Sequence, residues 1–140
     1  EFAKTFPLGV SSGMQRRVEI VRALMTNPKI ILLDEPFRAM DTLTKTIVHQ
    51  YVLKVQEITK TSIFFITHDL DEAIFLSDRV FVMTTRPGRF KKSMEVSLPR
   101  PRTAEMVSSS EFIELKNSLF DLVHEEAVKA FERGERELAR

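Results

Sequence analysis

Two short runs, one wholly apolar and one apolar between a Ser and a Thr, constrain this chain more than anything else in it. Ile30-Ile31-Leu32-Leu33 and Ser62-Ile63-Phe64-Phe65-Ile66-Thr67 are too short for helices and lack polar alternation. That is the pattern of strands buried on both faces of a parallel sheet. Between them, Asp41 to about Thr59 has helical periodicity, with Asp41 as the expected cap and Leu43, Ile47, Tyr51, Val55 and Ile58 as the expected inward face. Arg79 to Thr85 is expected to add a third strand. Strand, helix, strand, helix, strand is the alternation of an open, parallel α/β sheet flanked by helices.

The remaining punctuation is readable in the same way. Met14 to Met25 reads as a helix capped by Ser11 or Ser12, with Val18, Ile20, Val21, Leu24 and Met25 as its apolar face and Asn27-Pro28 ending it. Asp69, with Glu72 three residues on, has the form of a capping box for a short helix. Arg86-Pro87-Gly88-Arg89 is a turn by composition, leading to an alternating segment from Phe90 to Leu98. Pro99-Arg100-Pro101-Arg102 breaks regular structure and is expected to mark a boundary between an α/β part, 1–98, and a tail, 99–140. That tail carries a long amphipathic helix from Ser110 to about Arg133, with Phe112, Leu115, Leu119, Leu122 and Val123 on one side and pairs such as Glu125–Lys129 on the other.

Composition narrows the classes of function. A chain of 140 residues that is 43% apolar can bury a real core and is a prior for one domain. Its net charge of +1 gives no basic footprint for nucleic acid. No run approaches the roughly 20 apolar residues of a membrane span. The absence of cysteine excludes disulfides and thiolate metal sites. The opening Glu1-Phe2-Ala3-Lys4 has neither Met nor a signal-peptide pattern, so a fragment or processed chain is expected.

In open parallel sheets chemistry gathers at the carboxyl ends of the strands, and Asp34-Glu35 and His68 stand at two such ends. One carboxylate there can hold hydrated magnesium, which keeps several waters and takes few protein ligands. The other can orient or deprotonate an attacking water. The plainer reading, that Asp-Glu-Pro simply ends a strand in solvent, stands equally on these residues alone. Val10-Ser11-Ser12-Gly13-Met14-Gln15-Arg16-Arg17 adds a Ser/Gly opening to a helix, which is a ready anion site; an ordinary serine-capped helix explains it as well. His68 can reach a phosphate oxygen or a water beside Glu35, or be satisfied locally at a helix start. His49 and His124 fall inside expected helices and read as structural, and Asp41 as a cap.

Taken in order, these pieces resemble the second half of an ABC-transporter ATPase subunit, over about Phe6 to Arg89. Val10-Ser11-Ser12-Gly13-Met14 is similar to the signature loop and Gln15-Arg16-Arg17 to the start of its helix. Ile30 to Glu35 is similar to the Walker B strand, Arg38-Ala39-Met40-Asp41 to the D-loop, and His68 to the switch histidine. Ile66-Thr67-His68-Asp69-Leu70-Asp71-Glu72-Ala73 and Thr85-Arg86-Pro87-Gly88-Arg89 look most like importers of nitrate, sulfonate and taurine.

The resemblance implies a partial P-loop NTPase-like fold with ATP and Mg2+ as cofactors. It implies Asp34 at the metal, Glu35 and His68 as catalytic groups, and Ser11, Ser12, Gly13, Met14 and Asp41 on the nucleotide side. It further implies a second ATPase subunit paired head to tail, transmembrane permease subunits, an indirect solute-binding protein, no nucleic acid, and a cytoplasmic, membrane-peripheral location. Three positions depart from the family pattern: Val10 for leucine, Ser12 for glycine, and Arg38 for a small residue. No G-x-x-x-x-G-K-[ST] occurs in these residues. The expectation is therefore a C-terminal fragment of a longer subunit, with a non-catalytic module that pairs with a full-length ATPase as the alternative.

Overall fold

Both apolar runs form strands, and they pair with each other. The computed structural model describes residues 9, 12–38 and 40–138, which divide into two compact units, one ending at His68 and the other beginning at Asp69. The first unit holds α1 (Ser12–Met25), β1 (Ile30–Asp34), α2 (Thr42–Thr59) and β2 (Ser62–Ile66). β1 and β2 are parallel, with Ile31 beside Ile63 and Leu32 beside Phe64. The strand starts are tied by Ser62 N–H donating to Lys29 O at 3.1 Å and by the Thr61 hydroxyl donating to Pro28 O at 3.2 Å.

Burial in this unit differs from the sequence expectation. Alternation along β1 leaves Ile31 covered and Ile30 and Leu32 in solvent, and Phe64 and Ile66 of β2 are exposed on the same face as Leu32. The strands are therefore covered on one face, not both. On α2 the buried stripe is Val48, His49, Val52 and Leu53, while Leu43, Ile47, Tyr51 and Ile58 are exposed. Phe37, 1% exposed, meets the His49 ring edge-on at 4.5 Å and sets which side of α2 turns inward. Val18, Val21 and Met25 of α1 are likewise exposed. Two strands offer too little surface to cover every apolar face of this unit, so the most continuous stripes remain uncovered.

The second unit holds α3 (Leu70–Leu76), β3 (Arg79–Met83), β4 (Phe90–Glu95), a 3-10 turn (Ala104–Ser108) and α4 (Ser110–Leu138). β3 does not extend the parallel pair as expected; it forms an antiparallel pair with β4, Arg79 opposite Glu95. The short Arg86–Arg89 turn explains this, because a connection of that length can only reverse the chain. Thr84 closes the turn: its N–H donates to Arg89 O at 2.8 Å and its hydroxyl to Pro87 O at 2.7 Å. Ile74, Phe75, Leu76, Val82, Val96, Leu98, Phe112 and Leu119 form the buried core. The expected face of α4 is thus inward at Phe112 and Leu119, whereas Val123 is 40% exposed.

Two polar clusters pin this unit. Asp69 caps α3, accepting from the N–H groups of Asp71 at 3.0 Å and Glu72 at 3.2 Å. At the other end the buried Arg102 guanidinium donates to the carbonyls of Ile74 (3.3 Å), Phe75 (3.1 Å) and Ser77 (2.6 Å), and to Leu98 at 3.4 Å. Burial pushes the Arg102 pKa down, the nearby Arg100 charge adds to that, and Asp78 opposes it. These bonds satisfy carbonyls that a helix end leaves without intrahelical partners. Arg102→Met should therefore lower the stability of this unit by about 3 kcal/mol in urea denaturation, since it strands several buried acceptors at once. An unchanged midpoint would show that water satisfies them.

The second cluster joins β4 and the following helix. Glu126, 8% exposed, accepts from the Thr85 N–H at 3.0 Å and pairs with Lys91 at 2.9 Å and Lys129 at 3.1 Å. Lys91 also donates to Leu122 O at 3.0 Å and meets Glu125 at 2.6 Å; Lys129 meets Glu125 at 2.5 Å. The Lys91 bond first, then the Thr85 N–H and Lys129, hold the Glu126 pKa down at about 2. A lowered carboxylate pKa gives stability that is present above the ordinary value and lost as pH falls through the folded one. The melting-temperature advantage of the native chain over Glu126→Gln should therefore shrink between pH 4.5 and about 2 and be gone below it. A pH-independent difference in thermal melts would refute this.

Candidate functional site at the strand ends

Parallel pairing in register finishes β1 and β2 side by side, with Asp34 adjacent to Ile66. The Glu35 N–H donates to Ile66 O at 2.9 Å and carries the ladder one residue further. The chain then turns at once. Glu35 has φ 45°, its carbonyl accepts from the Arg38 N–H at 3.2 Å, and Pro36 and Phe37 are buried behind it. His68 follows β2 by one residue beyond Thr67, and its Nδ1 lies 2.9 Å from both Glu35 carboxylate oxygens. With Nδ1–H donating to the carboxylate, Nε2 is turned away from it. The Glu35 side chain is 25% exposed and that of His68 77%, so the pair is reachable from solvent.

Asp34 is exposed at the last position of β1, on the sheet face that carries Leu32 and Phe64. Among the described residues no three His, Cys, Asp or Glu side chains form a metal cage. A single open carboxylate beside a second one suits magnesium, which needs few protein ligands; it does not suit a structural zinc centre.

The other expected site residues lie elsewhere in this unit. Asp41 is the α2 cap: its carboxylate accepts from the Thr44 N–H at 2.9 Å, and hydrogen bonding by the Thr44 side chain first, then by that N–H, holds its pKa below the ordinary carboxylate value. Ser11 and Val10 lie outside the described residues, as does Ala39. Ser12 opens α1, and Gly13 and Met14 stand in its first turn. A Cβ added at Gly13 would come no closer than 3.7 Å to the Thr44 methyl, an ordinary contact, so packing within the chain does not require glycine there. His49 is a core residue against Phe37, and His124 stacks on Phe120, both as the sequence reading held.

Phe37 is the supporting residue that sequence reasoning passed over. An aromatic in an acidic strand-to-helix turn was the available signal, and its burial anchors the turn that aims Glu35. The turn itself stores strain, because a side chain at positive φ crowds the backbone where glycine does not. Glu35→Gly should be more stable than Glu35→Ala by about 1 kcal/mol in chemical denaturation. Equal stabilities would mean that the turn carries no such strain.

Comparison with known proteins gives the family of the chain. A family model described as ABC transporter matches residues 1–38. An uncharacterized ABC transporter ATP-binding protein of Methanocaldococcus jannaschii is 42% identical over 129 residues, covering 92% of this chain and 47% of that protein. The aliphatic sulfonates import ATP-binding protein of a Bacillus cereus strain is 40% identical over 133 residues, covering 95% of this chain and 49% of the relative. The chain thus spans about half the length of the curated relatives it matches. Among solved structures, a dimeric bacterial ABC transporter cassette is 32% identical with a TM-score of 0.61, over 70% of this chain and 41% of that one. The same cassette in a post-hydrolysis state bound to ADP and Pi gives a TM-score of 0.59, with the same identity and coverage.

Proposed function

We propose that this chain, one of the ABC transporter ATP-binding domain family, supplies the hydrolytic strand ends and the signature segment of an ATP-driven importer subunit. The observation that carries the reading is the 2.9 Å contact between His68 Nδ1 and Glu35 across the ends of two parallel strands. Glu35 Oε accepts the proton of the attacking water, and its raised φ and buried Phe37 hold that carboxylate at the strand end. His68 orients Glu35 through Nδ1 and turns Nε2 toward the terminal phosphate. Asp34 would hold Mg2+, which when bound neutralises charge on the phosphates. The first turn of α1, from Ser12 through Met14, offers backbone N–H groups to the nucleotide of a paired subunit, where Gly13 brings no side chain of its own, and Ser11, next in sequence, is assigned to the same contact. Asp41 lies with the D-loop at the same seam.

Pairing of two such subunits head to tail would drive transmembrane permease subunits on the cytoplasmic face of a membrane, with a solute-binding protein delivering cargo. No helix among the described residues is long and apolar enough to cross a membrane itself. A small oxyanion or sulfonate as cargo is supported by the similarity to a protein named for import of aliphatic sulfonates. On this reading residues 1–98 complete the ATPase core and 99–140 form its tail.

The test joins these 140 residues to the preceding half of the Bacillus cereus sulfonate-import subunit and measures ATP binding and turnover. Glu35→Gln should keep ATP binding and lose about 10²–10⁴-fold in turnover. Ser11→Arg should keep binding to the monomer and prevent the paired state. Turnover unchanged by Glu35→Gln would overturn the hydrolytic role; a chimaera that pairs with an intact subunit yet never turns over would favour the non-catalytic module.

A further inference from the structure

Helix α4 has two apolar stripes, and its own unit uses one of them. Phe112 and Leu119 are fully buried, and Leu115 and Leu122 are partly covered. Five large apolar side chains of the same helix remain in solvent: Ile113 (47% exposed), Phe120 (53%), Val123 (40%), Val128 (42%) and Phe131 (69%). They are not scattered. In one heptad frame Ile113, Phe120 and Ala127 take d positions, and Asn117, His124 and Phe131 take a positions. Val123 then falls at g and Val128 at e, so every one of the five lies on the a, d, e, g side. The inward Phe112, Leu115, Leu119 and Leu122 fall at c and f. At 29 residues the helix is about 43 Å long at 1.5 Å per residue, enough for several heptads.

We propose that this outer stripe, from Ile113 to Phe131, is a docking surface for the same helix of a second copy of the chain in a parallel, in-register coiled coil. The charges choose both the occupant and its direction. The described e residues are Glu114, Asp121 and Val128, and the g residues are Lys116, Val123 and Ala130. In a parallel pair g meets e of the next heptad. Lys116 then faces the partner's Asp121, and Val123 faces the partner's Val128, covering both exposed valines. In an antiparallel pair e meets e and g meets g. Within the stripe from Ile113 to Phe131 no opposite charges then meet, and acidic residues face one another or valine.

The interior of the stripe fits the same arrangement. Polar Asn117 and His124 at a positions fix register at a cost in stability, which makes the pair reversible. The Phe120 and His124 rings stack at 5.5 Å and 11°, giving a flat aromatic surface in the middle of the stripe. Lys116 bonds Asp71 at 2.8 Å, yet its side chain stays 44% exposed and an ammonium has three donors. This association does not depend on the ATPase reading, and its test involves no nucleotide.

The chain has no cysteine, so single-cysteine variants report contacts cleanly. Sedimentation of the 140-residue chain should show a reversible rise with concentration toward twice its 16.2 kDa mass. The variant carrying Phe120→Glu and Phe131→Glu should lose that dimer while keeping its helical circular dichroism. Under mild oxidation Phe131→Cys should cross-link to itself and Glu132→Cys, one residue away, should not. A chain that is monomeric throughout overturns the proposal, and so does a dimer that survives the double variant. Preferential cross-linking of an Ile113→Cys chain to a Phe131→Cys chain overturns the parallel arrangement. If the double variant unfolds, the cysteine pair decides alone: self-linking at 131 without 132 supports the coiled coil, and its absence refutes it.

Discussion

The in-register parallel ladder between β1 and β2 is the constraint on which the candidate site depends. It fixes Asp34 beside Ile66, and the single extra bond from Glu35 N–H to Ile66 O carries the alignment into the turn. A slip of one residue would exchange the two sheet faces. It would move His68 by a strand rise, about 3.3 Å, more than the 2.9 Å that now separates its ring from Glu35. The contact between two residues 33 apart in sequence is thus a property of the strands before it is a property of the side chains.

The ladder leaves one face of the pair in water. Leu32 and Phe64 project there together with Ile30 and Ile66, and Leu43, Ile47, Tyr51 and Ile58 add an exposed stripe on α2. Apolar area of this size ordinarily meets another surface. The relatives are about twice as long as this chain, and a sheet with more strands would have more faces to cover. The second unit stands differently: its helix ends are capped by Asp69 and Arg102, and its buried carboxylate Glu126 is partnered by Lys91, Lys129 and the Thr85 N–H.

Much of this was legible in the sequence because it is local. Apolar runs bounded by Asp-Glu-Pro and His-Asp marked the strands and where they end, and Asp41 and Asp69 announced the helix starts they cap. What failed was the assignment of faces. Leu43, Ile47, Tyr51 and Ile58 form the more continuous apolar stripe of α2, yet Val48 and Val52 are buried, because Phe37 packs on His49 from a turn whose path no periodicity reveals. The partner of β3 was missed for a similar reason: pairing follows the length of the next connection, not the composition of the strand. Arg102 was read as part of a break, since nothing in a Pro-Arg-Pro-Arg stretch shows that one arginine turns inward to helix carbonyls.

Glu35 joins these two levels. A carboxylate in the left-handed region at φ 45° opposes what the backbone prefers there, and Asn27 and Lys60, the other positive-φ residues, sit in connections without that demand for an acid. Glycine would relax the turn but offer no oxygen to His68. Asparagine would tolerate the dihedral yet would offer His68 one amide oxygen where the carboxylate offers two. The turn therefore gives up stability to keep a carboxylate at one position, and the burial of Pro36 and Phe37 directly behind it supplies the packing that holds the strained residue in place. Strain without such packing would simply relax, so the aromatic behind the acid is as necessary to the site as the histidine in front of it.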